Sequence, residues 1–342
     1  MTDAQWAALR AVLNGEVKAP LPTGFIVDSP WLPGWSGCST LDFYTSDACW
    51  LEAHLRAAQT FPGTWFLPGF WSEFGMCTEP SAFGAKCRWE EQELPHAARI
   101  IGDIEAPFEV LKPDVRRDGL LPFMLNRLKR NHDAVRRAGH DYRFAVARGP
   151  LNIATFLAGT SEFFLGLKVA EEPTVRLVHT ITDFLIDWIG LQLETFPAME
   201  GIFLLDDLIG FLGPEDFQQF AVPPLRRIFE SFDVPVKFLH NDAHGLVCAP
   251  HLAGLGVNLF NFSHNHSLAE MRRLCGESVT LLGNVPPRDV LAAGSPEQIA
   301  AAVRACTDGL PDRRRVILSA GGGVPPGVTT AQLQAFMDAA GS

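Results

Sequence analysis

The sequence predicts an α/β fold: a (β/α)8 TIM barrel with aromatic-rich N-terminal loops over the C-terminal mouth of the barrel. Three observations lead there. Short apolar runs rich in β-branched or aromatic residues recur through the second half of the chain, as buried parallel strands do. Amphipathic helical patterns alternate with them, which is the signature of repeated βα units. No glycine-rich phosphate turn follows the first candidate strand, so a closed barrel fits better than a doubly wound sheet.

The elements follow in order. MTDAQWAALRAVLNGE reads as a helix capped by Thr2 and stopped by Gly15. TGFIVD (23–28) and TWFLP (64–68) are the first two strands. Six more candidates are FAVAR (144–148), a run from Gly201 to Asp207, VKFLH (236–240), VNLFNF (257–262), VTLLGNV (279–285) and RVILSAGGG (315–323). Helices are expected over 173–196 and over 214–232, the second kinked at Pro223-Pro224. Further helices start at Ser267, Ser295 and Thr329; SLAE and SPEQ carry the capping-box pattern. Residues 20–90 hold six of the eight tryptophans among interleaved Pro and Gly, and read as ordered loops over the mouth. With an N-terminal helix over 1–20 and regular βα units over 143–342, the chain reads as one domain, 1–342.

Composition excludes several classes. The chain has 342 residues, 47% of them hydrophobic, and a formal net charge of -11. That balance argues against a nucleic-acid surface. No apolar run suits a membrane span, and no signal peptide or nucleotide-cofactor fingerprint is present. Seven scattered cysteines form no CxxC, which points to free thiols in a reducing cytoplasm. A monomer or a homodimer is expected.

Chemistry in a barrel gathers where strands end. Reading only those places gives Asp206-Asp207 after LL, with Asp207 favoured to face the mouth. His240, Asp242 and His244 follow KFL; His264 and His266 follow LFNFS; Asn284 follows LLG; Gly321 to Gly323 follow LSA. Imidazoles and carboxylates at one rim suit zinc or another divalent ion, with His240, Asp242 and His266 as ligands. The other reading is a polar substrate rim without metal. Trp31, Phe70 and Trp71 are candidates for a flat apolar wall of a substrate pocket, and Arg148 is the best-placed cation for a substrate carboxylate.

Several blocks together resemble the uroporphyrinogen decarboxylase superfamily, which also holds zinc-dependent, cobalamin-linked methyltransferases. They are RGPLNIATFLAGTSEFF, GPEDFQQFAVPPLRRIF, KFLHNDA, GLGVNLFNF, LLGNVPPRDVLAAGSPEQIAAAV and VILSAGGGVPPGVTTAQLQAF, with GMCTEPSAFGAKCRW earlier. The resemblance implies the same barrel. Of the decarboxylase's early-loop groups, the aromatic position falls on Trp31 and the arginine positions on Ile26 and Pro30; its essential aspartate falls near Pro68. Of the methyltransferases' His-x-Cys and distant Cys, His240 matches the histidine, while Asp242 and Gly322 stand at the cysteine positions. Glu79 matches an acid of the methyltransferase branch.

The expected function is methyl transfer on a small substrate, with a corrinoid carried by a partner protein. His240, Asp207, Glu79 and His264 would be the catalytic groups, and Arg148, Asn284 and Gly322 would contact substrate with the aromatic wall. The alternatives are a decarboxylase or lyase acting on a smaller substrate, and a non-catalytic tetrapyrrole or corrinoid binder.

Overall fold

The computed structural model describes residues 1–106, 108–244 and 246–341. Its eight barrel strands are β1 (Gly24–Ile26), β2 (Trp65–Leu67), β3 (Phe144–Arg148), β4 (Gly201–Leu205), β5 (Val236–Asn241), β6 (Leu259–Phe262), β7 (Thr280–Val285) and β8 (Val316–Ala320). Strands β3 to β8 form one parallel sheet in chain order, and β1 pairs with β2. Bridges from Thr23 to Leu318 and from Ile26 to Gly323 join β1 to β8. The circuit is thus 2-1-8-7-6-5-4-3. A seam is left between β2 and β3, where no ladder forms among the described residues.

Alternate side chains of a strand point into the barrel. Here the inward set from the lower part of the strands is apolar: Ile26, Leu67, Phe144, Val146, Phe203, Val236, Phe238, Leu259, Leu282 and Ile317 form one buried cluster. Phe203 and Phe238 stack at 4.1 Å at its centre. The N-terminal helix (Asp3–Leu13) seals the end where the strands start. Its Trp6, Leu9, Val12 and Leu13 join this cluster, and Trp6 meets Phe144 edge-on at 5.3 Å. A capping box, Thr2 with Gln5, starts that helix, a device worth about 1 kcal/mol.

The outer helices follow the sequence reading with physical adjustments. The helix expected over 214–232 is split: Pro214–Asp216, a π-helical turn Phe217–Ala221, then Val222–Glu230. Pro223 cannot donate to the preceding turn, and the wider turn absorbs that loss. Ser295 and Gln298 make the full capping box. At Ser267 only half of it forms, because the Glu270 carboxylate turns to His266 Nδ1 at 3.5 Å. No helix among the described residues is long and apolar enough to cross a membrane.

Residues 20–90 are more regular than their Pro, Gly and Trp content suggests. They supply β1, β2 and the helices Leu32–Ser36, Thr40–Thr45 and Asp47–Thr60. Their tryptophans are mostly core: Trp31, Trp50, Trp65 and Trp71 are all buried. Inside this packing His54 is buried, its Nδ1 2.8 Å from Trp50 O and its Nε2 without a hydrogen-bond partner among the described residues. Burial lowers its pKa from 6.5 to about 4.

At the seam, side chains close what the sheet leaves open. The Arg148 guanidinium at the end of β3 lies 2.9 Å from Glu73 and 3.5 Å from Glu79, both from the segment after β2. Arg148 N–H also donates to Glu79 Oε1 at 3.1 Å.

Two outcomes follow. Arg148→Met leaves two buried carboxylates unpaired and should cost about 3–5 kcal/mol in urea unfolding; an unchanged midpoint would show that the strut is idle. His54 is neutral in the fold and takes up a proton only on unfolding between about pH 6.5 and about pH 4. Stability should therefore fall as pH drops through that window, by about 3 kcal/mol from this residue, and His54→Leu should flatten the dependence by that amount.

Candidate active site

The alternation that fills the barrel with apolar side chains turns polar at the last inward position of five strands, β3 and β5 to β8. After Phe144 and Val146 comes Arg148; after Val236 and Phe238 comes His240; after Leu259 comes Asn261; after Leu282 comes Asn284; after Ile317 comes Ser319. A polar layer thus lies on an apolar floor at the C-terminal end, where βα loops add to it.

His240 is its centre. The register pairs His240 with Leu205 on one side and with Asn261 on the other. Its Nδ1 lies 2.7 Å from Asn261 Oδ1. Its Nε2 lies 3.5 Å from Asp207 Oδ1 and 3.9 Å from Asp242 Oδ2. One ligand atom from each of Asp207, His240 and Asp242 falls within 4.8 Å of the others. Asp242 N–H donates to Asp207 Oδ1 at 3.1 Å and so ties the two loops together. The histidine is buried, whereas Asp207 and Asp242 keep 33% and 45% of their side chains exposed, so the group opens toward solvent from the carboxylate side. Burial raises the Asp207 pKa and the Asp242 charge adds to this, against the pull of His240.

The neighbouring Asp206 faces the other way. It is wholly buried and accepts from Leu151 N–H at 3.0 Å and Asn152 N–H at 3.2 Å, capping the helix Pro150–Ala158. Burial pushes its pKa up to about 8 against those two donors. A Cβ at Gly149 would collide with this carboxyl, so the close approach requires glycine. Gly322 plays a comparable part on the mouth side: its φ is +138°, and a Cβ there would stand 2.8 Å from Asp242 Oδ2.

A second group of charges adjoins the first. Asp28, just after β1, feels Glu73, Arg148 and Asp242; burial first, then Glu73, raises its pKa well above the usual carboxylate range. Glu79 is raised by burial and held back by Arg148. Burial alone would lower the Arg148 pKa, but Glu73 and Glu79 carry it above its usual value. Ser29 Oγ donates to Glu73 Oε1 at 2.6 Å. The mouth thus gathers Asp28, Glu73, Glu79, Asp207 and Asp242 around one guanidinium and one imidazole.

The other residues singled out from the sequence lie outside the group of His240, Asp207 and Asp242. His266 is buried, with Nδ1 toward Glu270 and its ring 6.2 Å from that of His244; Asp207 stands in its place beside His240 and Asp242. His264 is exposed, with its backbone against Gly321. Asn284 Nδ2 donates to His266 O, which ties β7 to the loop after β6. Trp31 donates to Val328 O at 2.8 Å and stacks on Trp35. Phe70 packs against Trp50, His54 and His140. Trp71 is buried beside Phe203, with the Arg148 guanidinium 5.9 Å from its ring. These three aromatics are packed into the protein and form no flat wall. Asp28, Glu73 and Asn261 are mouth residues that strand-end reading passes over. The alternation of inward positions is the signal that finds Asn261.

The histidine and carboxylate donors suit a borderline or hard divalent cation. Three protein ligands with an open side fit a site that keeps room for substrate.

Comparison with known proteins bears on the family and the fold. Residues 36–342 match uroporphyrinogen decarboxylase (URO-D). The chain is 22% identical over 312 residues to the methylated-thiol--coenzyme M methyltransferase of Methanosarcina mazei, covering 87% of this chain and 79% of that one. It is 23% identical over 279 residues to the uroporphyrinogen decarboxylase of Pseudoalteromonas translucida, 77% of this chain and 75% of that one. A methyltransferase structure from Methanosarcina mazei superposes with a TM-score of 0.80 at 19% identity, over 97% and 96% of the two chains. A B12-independent methionine synthase from Shewanella superposes with a TM-score of 0.60 at 12% identity, over 93% and 97%. Both likenesses speak to the fold. The family match spans most of the chain, which belongs to the uroporphyrinogen decarboxylase family.

Proposed function

We propose that the chain is a methyltransferase that acts on a small substrate at the barrel mouth, with a divalent cation, zinc in the first instance, held by His240 Nε2, Asp207 and Asp242. The observation that carries this reading is the convergence of these three electron-pair donors on one spot beside open solvent. Charge balance supports it against decarboxylation of a polycarboxylate. Arg148 is neutralised by Glu73 and Glu79, so it is not free to take a substrate carboxylate, and the surrounding acids would repel one. The binding-protein reading is disfavoured because two carboxylate oxygens flank His240 Nε2, a donor set that suits a small divalent cation better than one axial bond to a tetrapyrrole metal.

When a methyl group moves as a cation equivalent, the electron pair of the broken bond stays on the heteroatom that loses it. A bound divalent cation supplies Lewis acidity for that heteroatom. The chain's own residues do the rest. Asp242 N–H orients Asp207, Asn261 orients His240, and Arg148 holds Glu73 and Glu79 in place at the rim. A corrinoid on a partner protein is the methyl carrier we propose.

Purified protein reconstituted with Zn2+ should hold about one equivalent, with metal at a hundredfold excess over Kd adding about 2.7 kcal/mol of stability. His240→Ala and Asp207→Ala should each abolish both effects. The reconstituted enzyme should methylate reduced cobalamin from at least one of a panel of methylated thiols, amines and ethers, followed by visible absorbance. Carbon dioxide release from uroporphyrinogen, with no cobalamin methylation, would reverse the assignment.

A further inference from the structure

We propose that Asn261 is a positioning residue: it fixes His240 in the tautomer with a proton on Nδ1 and a bare Nε2 facing the mouth. The claim deepens the proposed function, because it says how the imidazole is prepared to hold a cation, but the tautomer itself can be measured without any metal.

Hydrogen-bond polarity assigns the tautomer. Asn261 is wholly buried. One end of its amide lies 2.8 Å from Leu282 O and 3.1 Å from Ala320 O. Carbonyl oxygens only accept, so that end must be the NH2 group, which has two donors to match them. The other end is then the amide oxygen, 2.7 Å from His240 Nδ1. An oxygen only accepts here, so Nδ1 carries the proton. In a neutral imidazole the remaining nitrogen is then a lone pair.

That lone pair points at Asp207 Oδ1 and Asp242 Oδ2, 3.5 and 3.9 Å away. Three acceptors with no donor among them form a gap that fits positive charge. The reverse tautomer would place a proton between the two carboxylates and fill the gap from within. Asparagine suits position 261 because it does two things at once, accepting from the imidazole and donating to two strands. Aspartate could do only the first, and an apolar side chain neither. The register pairing of His240 with Asn261, and of Asn261 with Leu282, lets one amide brace β5, β7 and β8 together. Its bond to Ala320 O also sits next to the Gly321–Gly322 turn that packs on Asp242. Asn261 has no exposed atom to offer a substrate, so it acts through His240.

The test is a long-range proton–nitrogen correlation spectrum of metal-free protein carrying nitrogen-15 histidine, recorded where His240 is neutral, with His240→Gln to assign the signal. Wild type should show a protonated Nδ1 and an unprotonated Nε2. Asn261→Leu should move the proton to Nε2 and weaken Zn2+ binding, by competition with a chromophoric chelator, by about 10–100-fold. Asn261→Asp, which keeps the acceptor, should retain the wild-type tautomer. A protonated Nε2 in neutral wild type, or an unchanged tautomer in Asn261→Leu, overturns the proposal. Should Asn261→Leu fail to fold, the wild-type spectrum and Asn261→Asp decide it. A correct tautomer in a protein that binds no Zn2+ would sink the metal reading and leave the role of Asn261 standing.

Discussion

The inward period of the strands governs this molecule. Each barrel strand sends every second side chain to the interior, and those positions must be apolar as long as they are sealed from water. At the end sealed by the N-terminal helix they are apolar apart from Thr280 at the start of β7. At the open end the same positions become Arg148, His240, Asn261, Asn284 and Ser319. The polar layer is therefore a continuation of the core by one step, held by the packing beneath it and by hydrogen bonds between neighbouring strands. A one-residue slip of β5 against β6 would exchange inward and outward sets and separate His240 from Asn261. The stacked Phe203 and Phe238 pair makes such a slip costly.

Electrostatics in this layer divides into two parts. Arg148 with Glu73 and Glu79 spans the seam between β2 and β3, where the ladder is missing, and its charge is consumed there. His240 with Asp207 and Asp242 is uncompensated and opens to solvent through its carboxylates. Asp28 lies between the two, within the field of Glu73 and of Asp242. Burial and like-charge proximity both raise carboxyl pKa values at this rim, which is the usual condition of a site built to meet positive charge or to handle a proton.

Much of this is legible in the sequence, and the reasons are physical. Parallel strands end at the same face, so polar residues just beyond apolar runs converge; this is how Asp207, His240 and Asp242 can be read from text alone. Glu79 came from the resemblance, and the structure sets it against Arg148. Asn261 was out of reach because it sits inside the run LFNF, and its partner is set by register between strands. Glu73 lies among Trp, Pro and Gly, where composition says nothing about which side chains face the barrel, whereas Asp28 ends the predicted strand TGFIVD and is as legible there as Asp207 is after LL. The same composition misleads about Trp31, Phe70 and Trp71. It shows that large apolar surface must be covered, but not whether ligand or protein covers it, and in the structure they are buried against the protein's own residues and main chain. His266 fell outside the central group because Glu270, one helical turn on, draws its ring aside.

The central claim is that His240, Asp207 and Asp242 together hold a divalent cation at the mouth. Crystals soaked in Zn2+, with diffraction recorded on both sides of the zinc absorption edge, test it directly. An anomalous peak within coordination distance of His240 Nε2 and of a carboxylate oxygen from each of Asp207 and Asp242 is the predicted result. Zinc seated only at other residues, or a mouth without a peak in crystals that take up the ion elsewhere, would contradict it.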